Sequence, residues 1–213
     1  MWKEATRRPI PSRNQSKHAA FAVLTFALSL AGCEHIEGGT TVASGPFVAK
    51  VEEFLPLDQH QKSATYISDG SKTDYRLKTV TDGNKVSFQA VSHDIVVDEE
   101  TYLVDGGSVF LVHAVGEDFV EPVPLLKFPL RIGDQYTWKG KLACSDLQLT
   151  GTATITTSTG SVAYKGKSQE AIRTDVNLKI GDTANRRLSF WFVKGMGVIK
   201  TEMGKNVREP EEQ

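Results

Sequence analysis

The residue with the clearest chemistry is Cys33. It ends the segment Leu30-Ala31-Gly32-Cys33, directly behind an uncharged and almost wholly apolar run, AAFAVLTFALSL, at residues 19–30. A thiol in that place is a nucleophile delivered to a membrane surface, and the small residues before it leave the backbone open to an enzyme. Upstream, residues 1–18 carry Lys3, Arg7, Arg8, Arg13 and Lys17 against a single acid, Glu4. A basic stretch, an apolar run and then small residues form the order of a secretory signal. The run has 12 residues, and a spanning helix needs about 20, so a transmembrane anchor is not expected.

Leu30-Ala31-Gly32-Cys33 resembles the lipobox of bacterial lipoproteins. That resemblance implies cleavage between Gly32 and Cys33, a diacylglyceryl group on the Cys33 thiol, and an N-acyl chain such as palmitate on the new amine. Thr6-Arg7-Arg8 is loosely similar to a twin-arginine signal, but Pro9-Ile10-Pro11 fits that pattern poorly, and the general secretory route is expected. In enteric-type lipoproteins an Asp after the lipidated cysteine retains the protein at the inner membrane. Glu34 stands there, which favours the outer membrane, facing the periplasm.

Removing residues 1–32 takes away five basic residues and one acid, leaving 20 basic against 25 acidic and a net charge of −5. Such a body gains nothing from anionic lipid, so the acyl chains must hold it; two or more give stable anchoring. Residues 33–46 read as a flexible Gly/Ser/Thr tether.

Elsewhere the sequence offers little chemistry. No Gly-x-Ser-x-Gly elbow, His-Glu-x-x-His helix or phosphate loop is present. His93-Asp94 and His113 lack a metal-ligand spacing; His93 reads as a surface residue at a strand end and His113 as one on a half-buried face. Asp98-Glu99-Glu100 lacks the oxygen spacing of a calcium loop and reads as a solvated turn. Arg186-Arg187 reads as a solubilising hairpin tip. Cys144, without an intramolecular partner once Cys33 is lipidated, reads as a small buried hydrophobe. No catalytic residue, metal or cofactor beyond the Cys33 lipid is expected. The whole chain has 25 Lys+Arg against 26 Asp+Glu, which excludes nucleic-acid binding driven by net charge.

The elements that must carry any site are strands. Ile172, Thr174, Val176, Leu178 and Ile180 alternate with Arg173, Asp175, Asn177 and Lys179, one face buried and one wet. Residues 75–79 and 86–90 alternate around the turn Asp82-Gly83-Asn84, and residues 101–104 and 108–115 flank Asp105-Gly106-Gly107. Further strands are expected at 47–54, 63–68, 134–141, 147–157, 186–193 and 197–203. The best helix candidate, Val51–His60, is interrupted by Pro56. Pro122-Val123-Pro124 and Pro129 mark an irregular crossing. The expected organisation is a signal at 1–32, the lipidated tether at 33–46, one antiparallel β domain at 47–203 and a loose charged tail at 204–213. About ten strands with few helices must form a curved sheet, half-barrel or sandwich.

Two aromatic-glycine segments stand out. Pro129-Leu130-Arg131-Ile132-Gly133-Asp134-Gln135-Tyr136-Thr137-Trp138-Lys139-Gly140 reads as a tight turn followed by a strand with Tyr136 and Trp138 on one face. Trp191-Phe192-Val193-Lys194-Gly195-Met196-Gly197-Val198-Ile199-Lys200 reads as two strands joined by glycines able to take positive φ. Together they resemble a group of uncharacterised periplasmic and lipoprotein β domains of bacteria, over residues 129–203. The resemblance implies a fold and no activity. Architecturally a lipidated all-β domain is also similar to half-barrel lipoprotein carriers of outer-membrane biogenesis, without a residue match.

The plain role for Tyr136, Trp138, Phe190 and Phe192 is packing. The alternative is an apolar groove for an acyl chain or peptide. The sequence therefore points to a non-enzymatic, membrane-anchored envelope lipoprotein that engages an envelope protein, or else carries a lipid or other hydrophobic small molecule.

Overall fold

A computed structural model describes residues 47–48, 50–54, 62–182 and 184–211, all within one compact unit, Thr41–Gln213. The expected signal at 1–32, the Gly32–Cys33 junction and the tether at 33–46 lie outside the described residues. In chain order the strands are β1 (Phe47–Val48), β2 (Ser63–Ser68), β3 (Ser71–Asp82), β4 (Lys85–Ser92), β5 (Ile95–Asp105), β6 (Ser108–Ala114) and β7 (Glu117–Lys127). They continue as β8 (Leu130–Arg131), β9 (Gln135–Cys144), β10 (Leu147–Tyr164), β11 (Lys167–Ile180), β12 (Ala184–Val193), β13 (Gly197–Met203) and β14 (Asn206–Pro210).

Twelve of these strands close into an antiparallel barrel in the order β10-β11-β12-β13-β14-β2-β3-β4-β5-β6-β7-β9, which returns to β10. The small pair β1–β8 stands outside that wall. The expected all-β class is correct, but the curved sheet, half-barrel or sandwich is not: the sheet is closed. Strands expected from alternation leave two gaps, between β13 and β2 and between β6 and β9. Two segments expected to be irregular fill them. Residues 204–213, expected as a loose tail, supply β14, which pairs with β13 and with β2. The crossing around Pro122-Val123-Pro124 is β7, paired with β6. With both in place no long edge is left open.

The interior is filled. Phe88, Tyr102, Leu111, Leu125, Ile155, Val176, Phe190 and Phe192 belong to one continuous buried cluster. The alternation read at residues 172–180 puts Ile172, Thr174, Val176, Leu178 and Ile180 inside, as expected. A smaller cluster joins Val162 and Tyr164 near the end of β10 to Trp191, Val193 and Ile199. Residues 51–54 form one 3-10 turn rather than a strand or helix, with Phe54 stacked on Phe128 at 6.2 Å between ring centroids.

The β7–β9 seam is made in an unusual way. Its backbone pairing covers only Asp118↔Ala143 and Phe119↔Leu142. Beyond that point side chains of β9 take over. The Trp138 indole N–H donates to the Glu121 carbonyl at 3.0 Å, and the Tyr136 hydroxyl donates to the Leu125 carbonyl at 2.7 Å. The Glu121 carboxylate accepts from the Lys141 N–H at 2.6 Å. A strand whose second edge lacks a continuous ladder tolerates Pro122 and Pro124. Trp138 fits because Gly140 and Gly151, paired across β9 and β10, offer no side chain. A Cβ on Gly140 would strike the indole ring, and one on Gly151 would sit 2.7 Å from a Leu142 methyl.

The hairpin turns β2–β3, β4–β5, β6–β7, β9–β10, β11–β12 and β13–β14 lie at one end of the barrel, the far end. The 3-10 turn, where the described chain enters, docks at the other: the Glu53 carbonyl accepts from the Gly195 N–H at 2.7 Å. Gly195 and Gly197 take φ of 73°, as the β12–β13 turn expected.

Gly140→Ala should lower stability by roughly 1–3 kcal/mol through overpacking, read as a fall in the urea midpoint. In a Trp138→Phe background the ring that is struck is smaller, so the same substitution should cost less. Equal costs in both backgrounds would rule out the indole as the cause.

Candidate functional site

At the centre of the barrel lies a buried ion pair. Glu100, on β5, is 3% exposed and Arg208, on β14, 2%. Both face inward because Glu100 alternates with Glu99 and Thr101 along β5, while Arg208 pairs in register with Thr201 and Tyr66. The expectation that Asp98-Glu99-Glu100 is a solvated turn is therefore wrong: it is mid-strand, and the alternation sends Glu100 into the core.

Arg208 grips the carboxylate with two nitrogens, Nη2 to Oε2 at 2.8 Å and Nε to Oε1 at 3.1 Å. The Tyr102 hydroxyl donates to Oε2 at 2.6 Å and the Thr201 hydroxyl to Oε1 at 2.7 Å. Four donors thus satisfy the two oxygens, the condition under which a buried charge is tolerable. Burial alone would raise the Glu100 pKa; the Arg208 charge and the bonds from Arg208, Tyr102 and Thr201 outweigh it and hold the carboxyl below its usual range. The Arg208 guanidinium also lies 5.6 Å from the Phe88 ring centroid.

Towards the far end this centre opens into a half-open cavity of about 270 Å³. Its polar lining is Tyr66, Tyr75, Asp98, Glu100, Thr201 and Arg208, with Ser68 and Asn206 bonded to each other at its mouth; Ile67, Val97, Val115, Met203 and Val207 supply apolar wall. The Tyr66 and Tyr75 rings meet edge to face at 5.3 Å. The Tyr66 hydroxyl is buried and makes no hydrogen bond among the described residues. Burial, then the neighbouring Glu100 charge, pushes the Asp98 carboxyl up to about 6. Burial likewise raises the Tyr66 phenol well above its ordinary value. A carboxyl whose proton is held more tightly than usual and an unpartnered hydroxyl thus share one half-open cavity, an arrangement able to take a polar ligand.

Of the residues the sequence singled out, Phe190 and Phe192 are fully buried in the core and Tyr136 and Trp138 form the β7–β9 seam. Trp138 also borders a shallow depression with Thr152, Thr154 and Lys179. Cys144 is exposed at the end of β9 rather than buried. His113 pairs with Asp118 at 2.6 Å, and no cluster of three metal-ligating side chains occurs among the described residues. Arg186 and Arg187 bind acids, Glu117 at 2.6 Å and Asp175 at 3.3 Å.

No protein-family model matches the chain, and no curated protein matches it. Three solved structures are similar over most of their length. A candidate lipoprotein from Parabacteroides distasonis aligns at 9% identity and TM-score 0.44, covering 78% of this chain and 98% of that one. A candidate exported protein with a YmcC-like fold from Bacteroides fragilis aligns at 9% identity and TM-score 0.39, covering 78% and 97%. The hypothetical lipoprotein YmcC from Escherichia coli aligns at 9% identity and TM-score 0.38, covering 76% and 94%.

Two stability measurements follow from the geometry. Glu100→Leu strands a buried guanidinium and should cost roughly 3–5 kcal/mol, whereas Glu100→Leu with Arg208→Met should recover much of it. Asp98 behaves with the opposite sign. Its folded pKa lies above the ordinary carboxylate value, so the folded state holds the proton more tightly, and stability falls as pH rises from about 4 to above 6. Asp98→Asn should therefore be more stable than the parent at pH 7.5, with the gain closing by pH 4. A gain equal at both pH values would mean that Asp98 carries no ionisation cost.

Proposed function

We propose that the protein is a lipid-anchored cell-envelope protein, held through Cys33 at the periplasmic face of the outer membrane, whose barrel is a non-enzymatic interaction module. The observation that carries this reading is where apolar surface is left exposed. The large exposed hydrophobics among the described residues are Ile95, Val96, Val97, Val115, Val120, Leu147 and Leu149. All lie at or within a few residues of the far-end turns, on β5, the β6–β7 turn, β7 and β10. Ile95 is 67% exposed and Leu147 65%. Apolar residues gathered at one rim of a barrel whose core is already filled suit a protein contact.

The polarity of the molecule supports the same reading. The described chain enters at the opposite end, where the 3-10 turn docks, and among the described residues the far-end rim stays uncovered. The net charge of −5 expected after signal removal makes an anionic bilayer a poor alternative for the rim. The continuous buried cluster through the middle of the barrel favours interaction over carriage of a hydrophobic ligand, and the open space near the far end, bordered by Val115 and Met203, is where a carried ligand would have to sit.

A photo-crosslinking amino acid at Ile95 or Leu147, in cells making the full chain, should trap discrete protein adducts. The same probe at Lys165, exposed in the β10–β11 turn at the entry end, should trap none. Native mass spectrometry of residues 34–213 should show no stoichiometric small apolar molecule. If one co-purifies, the protein is a carrier, and Tyr136, Trp138, Phe190 and Phe192 become the first residues to mutate.

A further inference from the structure

The far-end cavity has a chemical preference. Its charged lining is two carboxylates, Asp98 and Glu100, and one guanidinium, Arg208. Arg208 and Glu100 are joined in a two-point pair, so their charges cancel locally. Asp98 is left as the excess charge. Its carboxylate accepts a backbone N–H bond from Glu99, makes no side-chain hydrogen bond among the described residues, and is partly withdrawn from water. An anion entering the cavity would meet the excess charge of Asp98; a neutral polar group would leave Asp98 without a counter-charge.

The remaining features select among cations. The buried Tyr66 hydroxyl has an unused acceptor position, and the Tyr66 and Tyr75 rings that line the cavity carry the π electrons that cations favour. Ile67, Val97, Val115, Met203 and Val207 line the approach with aliphatic surface. A strongly hydrated metal ion gains nothing from such walls, and no three-ligand cluster is present among the described residues. A charged nitrogen on an aliphatic stem matches floor and walls together. The volume of about 270 Å³ accommodates one such side chain and not an extended polymer segment.

We propose that this cavity is a binding site for an organic cation, an ammonium or guanidinium on an aliphatic stem, with Asp98 as its counter-ion and Tyr66 as a hydrogen-bond partner. This deepens the interaction reading and rests on it only for the source of the cation. The same chemistry comes from a lysine or arginine side chain of a protein docked on the apolar rim, or from a free amine.

The groups facing Asp98 are Glu100 on its own strand, Arg208 on β14, Tyr66 on β2 and His113 on β6. Protonating Asp98 removes the excess negative charge, so affinity falls as pH drops through about 6. His113 is already engaged by Asp118, and Asp98→Asn leaves that contact in place, so the variant isolates the Asp98 contribution.

The test is calorimetric titration of the full chain in non-ionic detergent with n-butylammonium, n-butylguanidinium and doubly capped lysine, against n-butanol as neutral control. Saturable binding of a cation, absent for n-butanol, is expected at pH 7.5 and weaker at pH 5. Asp98→Asn should weaken it about ten-fold or more, and Tyr66→Phe about three-fold. Capped lysine binding more tightly than the free amines identifies a protein side chain as the source; the reverse order identifies a free amine. No saturation at millimolar cation, equal binding of n-butanol, or full affinity in Asp98→Asn overturns the site. Crosslinks from Ile95 that persist in that case leave the interaction reading standing, so the two fail separately.

Discussion

The barrel depends on one buried interaction, the two-point contact between Glu100 and Arg208. The two residues lie on strands separated around the wall by β2, β3 and β4, so the contact crosses the interior and ties one side to the other. Apart from the buried Pro210, β14 has little else to hold it inside: its other residues are Asn206, Val207, Arg208 and Glu209. The contact also fixes its register. A slip by one residue would turn Arg208 outward and bring Val207 or Glu209 towards Glu100, leaving a buried carboxylate with no cation or facing a second one. Hydrophobic burial supplies the stability of the wall at large, but the ion pair selects which strand closes it and in what alignment.

The second closure, at β7–β9, uses a different device for the same need. Where the backbone ladder stops after Phe119, an indole N–H and a phenol O–H from alternate positions of β9 reach carbonyls of β7. The Leu125 carbonyl also accepts the Thr174 hydroxyl from β11 at 3.2 Å, so β7 is pinned from two other strands. Long aromatic donors span a wider gap than a ladder does, which lets β7 keep two prolines without leaving its carbonyls dry. The glycine pair beneath Trp138 belongs to this device, since any side chain there would displace the donor.

This explains what was legible in the sequence. Strands whose inward residues are apolar at alternate positions, such as β11 and β4, announce themselves by period. So do hairpins marked by Asp82-Gly83-Asn84 or Asp105-Gly106-Gly107. The two closing strands carry the opposite marks: charge in β14 and proline in β7. Each is stabilised by a partner distant in sequence, Glu100 for Arg208 and Trp138 for Glu121, which no local window contains. Closure of the sheet was therefore hidden, and with it the site. Glu100 looked like one of three acids in a polar stretch; a strand reading of residues 98–102 would have set Asp98, Glu100 and Tyr102 on one face. Tyr136 and Trp138 drew attention correctly as unusual, yet their polar atoms are spent on the seam.

The two ends of the barrel are not equivalent, and the difference follows from where the chain is spent. At the entry end, Phe54 and Phe128 stack and Glu53 caps the β12–β13 turn, so side chains and backbone are consumed in closing the fold. At the far end the short strand β2 is joined directly to β3 by a tight turn, and no described segment crosses the opening. Apolar residues stay exposed, a hydroxyl stays unpaired, and a carboxyl is held near neutrality at a cost in stability. A fold under selection for packing alone would replace Tyr66 by phenylalanine and Asp98 by a neutral residue with no loss of its closing contacts. Groups that weaken the folded state and gather at one opening are the mark of surface kept for an encounter.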